Sequence, residues 1–161
     1  MKIAVALSGY FSTIRTNDIN AGRESHKKIT NFFKDYDVDY YIHSWQIWDK
    51  DEIIELYNPK KSIFESQIDF NVTEKETCDN QKWFDEGFDR LNTMYRYLTI
   101  YKSLSFFYSR ASALKLIEEE YDKVFVMRLD AGHRGPGGVD FPHNYTFDLD
   151  SESEDAHKLL N

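Results

Sequence analysis

An arginine and an aspartate stand at the end of a short apolar segment. The segment VFVM (residues 124–127) runs into Arg128 and Asp130, and the glycine-rich stretch AGHRGPGG (131–138) follows. A guanidinium matches the oxygens of a phosphate group, and a carboxylate suits a hard cation such as Mg²⁺ or Mn²⁺. The two side chains therefore indicate a site for a phosphorylated ligand with a divalent metal. The alternative is that they form a structural ion pair or a turn.

The elements that position this pair alternate along the chain. Apolar runs predict strands, and apolar residues at spacings of three and four predict helices. The predicted strands cover 2–9, 38–45, 62–66 and 122–130, and the predicted helices cover 22–36, 49–59 and 93–121. Such alternation predicts right-handed crossovers and a mostly parallel sheet with helices on both faces. We therefore expect one compact α/β, Rossmann-like domain over residues 1–161.

The longest helical pattern, 93–121, carries large apolar side chains along one side. We predict that this side packs on the sheet. Its members are Leu104, Phe107, Ala111, Leu114 and Ile117.

Ligands of open α/β sheets bind in the crevice beyond the carboxyl ends of the strands. This rule selects the polar and glycine residues that end the predicted strands, together with the loops that follow them. Besides Arg128 and Asp130, the candidates for substrate binding are Leu7, Ser8, Gly9, Arg15, His43 and Glu65.

Lys102 is a further candidate because almost all its neighbours in YLTIYKSLSFF (97–107) are aromatic or aliphatic. An ammonium group in such surroundings needs a carboxylate or phosphate partner, unless its stem carries it to water. Asp130 is a reasonable partner for it.

Charge and composition exclude several classes of function. The formal net charge of −8 argues against a general nucleic-acid binder or a binder of anionic membranes, although a local basic pocket stays possible. No stretch approaches the roughly 20 apolar residues of a membrane helix, so we predict no transmembrane segment. The single cysteine, Cys78, excludes an internal disulfide and favours a reducing, cytoplasmic location. The GxGxxG and GxxxxGK[ST] phosphate-binding motifs are both missing.

Four segments, taken in order, resemble a known family. They are KIAVALSGYFSTIR (2–15), YIHSW (41–45), MYRYLTIYKSL (94–104) and YDKVFVMRLDAG (121–132). Together they resemble the nucleotide-sugar-binding half of GT-A glycosyltransferases, particularly the small virus-encoded and bacterial ones. The resemblance covers roughly residues 2–130.

The resemblance implies a metal site at Asp130. In that family a D-x-D at the strand end holds a divalent metal, which bridges the diphosphate of the sugar donor. Here the first acidic position is Arg128, and Asp130 keeps the last one. The resemblance thus implies Mn²⁺ (or Mg²⁺) bound through Asp130, phosphates and waters. Metal-independent use of Arg128 is the alternative.

The implied chemistry is transfer of a sugar from a UDP- or GDP-sugar to the hydroxyl of a glycan or other acceptor. Asp130 would then serve catalysis through the metal, and Asp140 is our candidate for the base that activates the acceptor. The other candidate bases are His133, His143, Asp148 and Asp150. Because only about 30 residues follow the resemblance, we expect an unusually small enzyme or a fragment. The alternatives are a non-catalytic nucleotide-sugar-binding module and a nucleotidyltransferase-like enzyme.

Overall fold

The computed structural model describes residues 1–12, 19–71 and 100–131, and of residues 100–102 it describes the backbone alone. The elements in chain order are β1 (Lys2–Gly9), α1 (Ile19–Phe32), β2 (Asp37–Ser44), α2 (Lys50–Tyr57), β3 (Lys61–Phe64), α3 (Ile100–Lys115) and β4 (Lys123–Arg128). The predicted alternation of strands and helices is confirmed over these ranges. Helix α1 begins three residues earlier than predicted, and the glycine-rich stretch after residue 131 lies outside the described part.

The described strands form one four-stranded parallel sheet in the order β3-β2-β1-β4. This confirms the α/β class. The chain first builds outward from β1 to β2 and β3, and β4 then joins the opposite side of β1. The strand order therefore reverses between β1 and β4, and in open α/β sheets such a point is where a ligand crevice forms.

The two faces of β1 differ sharply in side-chain size. All residues from Ile3 to Leu7 are fully buried. Because side chains alternate along a strand, Ile3, Val5 and Leu7 point to one face and the smaller Ala4 and Ala6 to the other. The sheet therefore has a bulky face and a thin face at its centre.

Helices α1 and α2 cover the bulky face. Ile29 and Phe33, at the C-terminal end of α1, and Ile53, from α2, join Ile3, Val5 and Leu7 in one buried apolar cluster. Ile42 of β2 and Met127 of β4 extend this cluster across the neighbouring strands. Phe32, the last residue of α1, is partly buried against the same cluster.

Helix α3 covers the thin face, and the prediction of its buried side was wrong. Among the described side chains of α3, Ser109 and Ala113 are the buried ones, whereas Phe107 is 65% exposed. Leu104, Ala111 and Leu114 are also exposed, and Ile117 is half-buried beyond the end of the helix. The reason is steric, because a helix can settle closely onto alanines only with its own small residues.

A charged network closes the amino end of the sheet. The ammonium groups of Lys2 and Lys60 lie 3.0 and 2.7 Å from the carboxylate of Glu119, and Lys60 lies 3.2 Å from Asp39. Tyr121 donates a hydrogen bond of 2.6 Å to Asp39, and its hydroxyl lies 2.6 Å from that of Tyr41. The network ties β1, β2, the start of β3 and the α3–β4 loop together.

The hydroxyl of Tyr121 gives the first prediction. Tyr121→Phe removes two hydrogen bonds, one of them to a carboxylate, so we expect the free energy of unfolding to fall by about 1–2 kcal/mol at pH 7. The hydrogen bond from Tyr121 is the main cause that lowers the pKa of Asp39. A lowered carboxyl pKa stabilises the fold above the ordinary value near 4, and this contribution is lost as the pH falls through the lowered value.

Urea unfolding at several pH values checks this prediction. The difference between wild type and Tyr121→Phe should shrink below about pH 4. Tyr36→Phe is the matched control, because Tyr36 packs against the core and its hydroxyl forms no hydrogen bond within the described part of the chain. Equal stability of the two variants at pH 7 would contradict the role of the network.

Within the described ranges, no helix has the length and apolar character needed to cross a bilayer.

Candidate functional site

The sheet brings several of the predicted site residues to one edge. Ser8 of β1 lies opposite His43 of β2 on one side and Arg128 of β4 on the other. Glu65 follows β3 directly, and its backbone N–H donates to the carbonyl of Ser44. The carboxyl ends of all four described strands therefore lie at one edge of the sheet, and we refer to the space beyond them as the crevice.

Gly9 forms the turn at the end of β1. Its φ of +97° lies in the left-handed region, where residues with a Cβ are strained. Apart from its two chain neighbours, no described residue places an atom within 4 Å of the position that a Cβ would take, so open space adjoins this turn in the described part of the chain. Both backbone groups of Gly9 are held, since its N–H donates to Ser109 Oγ at 3.1 Å and its carbonyl accepts from Ser44 Oγ at 2.7 Å. The turn is thus fixed in place and open to a ligand.

A buried hydrogen-bond chain runs behind this turn. Ser109 Oγ lies 2.8 Å from His43 Nδ1, and His43 Nε2 lies 2.8 Å from Glu65 Oε1. One proton arrangement satisfies the chain with a neutral imidazole. Gly9 N–H donates to Ser109, Ser109 O–H donates to Nδ1, and Nε2–H donates to the carboxylate. His43 itself is fully buried, so its link to the Gly9 turn is the hydrogen bond to Ser109.

Aromatic rings pack on the β2 side of this chain. The Trp45 and Tyr108 rings are stacked, with centroids 5.4 Å apart. The His43 ring meets the Trp45 ring edge-on, with centroids 4.7 Å apart, and Phe70 packs edge-on against Tyr108. These rings fix the orientation of the imidazole and the direction of the Tyr108 flank of α3.

The loop after β1 is held by Gln46, which the sequence did not single out. Its side-chain oxygen accepts the N–H groups of Phe11 and Ser12 at 2.9 and 3.0 Å, and its amide nitrogen donates to Ser12 Oγ at 2.8 Å. Gly22 of α1 packs tightly against Phe11, since a Cβ there would come within 2.6 Å of the Phe11 ring. The N–H groups of Phe11 and Ser12 are therefore already bonded within the protein.

Arg128 and Asp130 form a two-pronged ion pair at the crevice. Arg128 Nε donates to one carboxylate oxygen at 2.6 Å, and Nη2 donates to the other. Arg128 is 52% exposed, so it remains accessible from the crevice. Partial burial would lower the pKa of Arg128, but the charge and hydrogen bonds of Asp130 outweigh that effect and raise the pKa. The ion-pair geometry is thus present, and it lies where a ligand can reach the guanidinium.

The described residues do not by themselves form a metal site. Both oxygens of Asp130 are bonded to Arg128, so a cation would have to compete with the guanidinium. The residues that the structure describes contain no group of three or more His, Cys, Asp or Glu side chains that could hold a metal ion.

Other predicted residues lie elsewhere. The side chain of Leu7 belongs to the apolar core and not to the crevice. The backbone of Lys102 lies in α3, and its side chain is outside the described part. Arg15, Asp140 and the other candidate bases also fall outside the described ranges.

Arg110 of α3 is a charged residue that the sequence did not indicate. Its Nε is buried and has no hydrogen-bond partner among the described residues. The guanidinium carbon lies 4.2 Å from the centre of the Phe106 ring. Burial, and then the positive charge of Arg128, lower the pKa of Arg110. Like Lys102, Arg110 is a charged residue among mostly apolar neighbours, in FFYSRASA (106–113). The sequence did not indicate it because the predicted buried side of the helix was wrong.

Ser109 provides the second prediction. Ser109→Ala leaves the Gly9 N–H and His43 Nδ1 without their partner, so we expect the free energy of unfolding to fall by about 1–3 kcal/mol. Ser112→Ala is the matched control on the same helix, because Ser112 makes no side-chain hydrogen bond to described residues. Its cost should stay within about 0.5 kcal/mol. Urea unfolding measures both variants, and equal losses would show that the Ser109 chain does not hold the β1 turn.

The crevice combines an exposed guanidinium–carboxylate pair, an open glycine turn and a buried chain that holds the turn. Such an arrangement can bind an anionic group against the ends of β1 and β4. The chain matches no protein-family model, no curated protein and no solved structure.

Proposed function

We propose that the chain is a GT-A-like glycosyltransferase, which moves a sugar from a UDP- or GDP-sugar to a hydroxyl acceptor. One observation carries the proposal. The exposed Arg128 lies beside the open Gly9 turn, at the crevice where the strand order reverses. The order β3-β2-β1-β4 is that of the first four strands of a dinucleotide-binding sheet, in which phosphates lie at this reversal. The four segments that resemble the family agree with this placement.

The reaction needs a group that stabilises the departing diphosphate. The bond between the anomeric carbon and the diphosphate oxygen breaks, and the acceptor oxygen forms the new bond to that carbon. The acceptor proton passes to a base, for which Asp140 stays the candidate. Negative charge grows on the diphosphate, and a fixed guanidinium at that position lowers the barrier. Arg128, held in orientation by Asp130, supplies such a guanidinium.

The open turn at Gly9 supports close approach of the donor. Any side chain at this position would occupy the space that adjoins the carboxyl end of β1. Ser109 and Ser44 hold the turn through its N–H and its carbonyl. A pre-organised backbone surface lowers the entropy that binding must overcome. A role for Mn²⁺ (or Mg²⁺) and a cytoplasmic location remain predictions.

Donor cleavage tests the proposal. We expect the full chain, given a panel of UDP- and GDP-sugars, to release nucleoside diphosphate slowly even without an acceptor, because water can replace the acceptor hydroxyl. Arg128→Met should weaken nucleoside diphosphate binding by about 10-fold to 100-fold, the range expected for loss of a hydrogen bond to a charged group. Arg23→Met is the matched control, since Arg23 is an exposed arginine of α1 paired with Glu52.

The outcomes separate the candidate functions. Release of nucleoside diphosphate that falls in Arg128→Met but not in Arg23→Met supports the transferase. Donor binding without release, across a broad panel of donors and acceptors, would instead support a non-catalytic nucleotide-sugar-binding module. Failure to bind any nucleoside diphosphate would reject both.

Asp130 gives a separate prediction. Asp130→Asn removes the charge that competes for Arg128, so metal-free affinity for UDP or GDP should rise severalfold. If Asp130 also holds Mn²⁺, the same variant should lose the gain in affinity that Mn²⁺ gives to the wild type. Titration calorimetry with and without Mn²⁺ measures both effects. A full Mn²⁺ effect in Asp130→Asn would remove Asp130 as the metal ligand.

A further inference from the structure

Helix α3 extends beyond the carboxyl edge of the sheet. Ser109 bonds the N–H of Gly9, so this residue marks the level at which β1 ends. The helix begins at Ile100, and at about 1.5 Å per residue its first part rises about 13 Å beyond that level. The first half of α3 is therefore one wall of the crevice.

The direction of each flank of α3 follows from the helical rotation. Successive residues differ by about 100°, so Tyr108 and Arg110 lie on opposite flanks when Ser109 faces the sheet. Tyr108 stacks on Trp45 and packs against Phe70, which places its flank on the side of β2 and β3. Arg110 must then lie on the flank that faces β1 and β4.

The side chain of Arg110 also points toward the crevice along the helix axis. Side chains of an α-helix lean toward its N-terminus. The contact with the Phe106 ring, one turn earlier, shows that Arg110 follows this rule. Since the N-terminal half of α3 overhangs the crevice, the guanidinium lies at or above the level of Gly9.

Arg128 reaches the same side of the sheet. It pairs in register with Ser8, which lies on the thin face with Ala4 and Ala6. Neighbouring residues of paired strands point to the same face, so Arg128 starts from the face that α3 covers. Burial is the main cause that lowers the pKa of Arg110, and the positive charge of Arg128 lowers it further, as expected if the two side chains reach the same side of the sheet.

The two guanidiniums carry more positive charge than their surroundings neutralise. Asp130 pairs with Arg128, and among the described residues no carboxylate forms an ion pair with Arg110. The Phe106 ring face gives Arg110 partial compensation. Within the described part of the chain, the buried Nε of Arg110 has no acceptor. An anion with several oxygens would satisfy both guanidiniums at once.

We infer that Arg110 and Arg128 together bind the diphosphate group of the ligand between α3 and the end of β4. The inference rests on the proposed function for the identity of the ligand as a nucleoside diphosphate sugar. Arg128 keeps Nη1 outside its pair with Asp130, and no carboxylate of the described residues occupies the guanidinium of Arg110. Each guanidinium would take one phosphoryl group, because their separate origins on a helix and a strand hold them apart.

Binding of inorganic pyrophosphate tests the inference without any sugar chemistry. We expect Arg110→Met to weaken pyrophosphate binding by at least about 10-fold, as loss of a charged hydrogen-bond donor predicts. The variant keeps the apolar stem over Phe106 and removes a buried donor without a partner, so its melting temperature should equal or exceed that of the wild type. Arg23→Met should keep wild-type affinity.

The results distinguish this inference from the transferase proposal. Pyrophosphate binding that depends on Arg110, with no cleavage of nucleotide sugars, would support the diphosphate site and reject the transferase. Cleavage of nucleotide sugars with unchanged affinity in Arg110→Met would support the transferase and overturn the role of Arg110. Wild-type protein that fails to bind pyrophosphate, UDP and GDP would overturn the inference. If Arg110→Met loses both pyrophosphate binding and melting temperature, Arg110→Lys separates the two effects. This variant keeps the positive charge, so it should recover part of the affinity for pyrophosphate. No recovery would overturn the inference.

Discussion

The close contact between α3 and the thin face of β1 is the constraint on which the rest of the crevice depends. Alanines at positions 4 and 6 let the helix approach the central strand with Ser109 and Ala113. At this distance Ser109 Oγ reaches both the Gly9 N–H and His43 Nδ1. A larger residue at position 109 would push the helix outward and separate three elements whose ends form the crevice. Packing on one face of the sheet therefore sets the geometry at its edge.

The position of α3 also divides the crevice into two flanks. The Tyr108 flank is aromatic, and its ring packs beside the buried His43, whose partner Glu65 is partly exposed. The Arg110 flank is cationic and faces the end of β4. Rotation of α3 by one residue would exchange these flanks. Because Ser109 is fixed at the centre by hydrogen bonds in two directions, the helix has little freedom to rotate.

The sequence predicted the elements well and the rotation of α3 badly. Strand periodicity located all four described strands, and the rule of strand ends selected Ser8, Gly9, Arg128 and Asp130. The buried side of α3 was wrong because hydrophobicity favours Phe107 and Leu114 over Ser109 and Ala113. Ser109 and Ala113 are buried instead because only small residues fit against the thin face of β1. The sequence did not indicate Arg110 or Gln46, because their positions depend on contacts between segments far apart in the chain.

The two ends of the sheet contrast in charge balance. At the amino end, Lys2 and Lys60 face Asp39 and Glu119, so two positive charges meet two negative ones and the network stabilises the fold. At the carboxyl end, Asp130 pairs with Arg128 and Glu65 is bonded to His43, whereas no carboxylate of the described residues forms an ion pair with Arg110. A guanidinium without an ion-pair partner weakens a fold unless a ligand relieves it, and the proposed diphosphate site would do so. The formal net charge of −8 repels long polyanions, whereas a small diphosphate meets only the local field of the two guanidiniums. The protein would then select small anions over long polyanions, because the crevice is locally positive while the whole chain is negative.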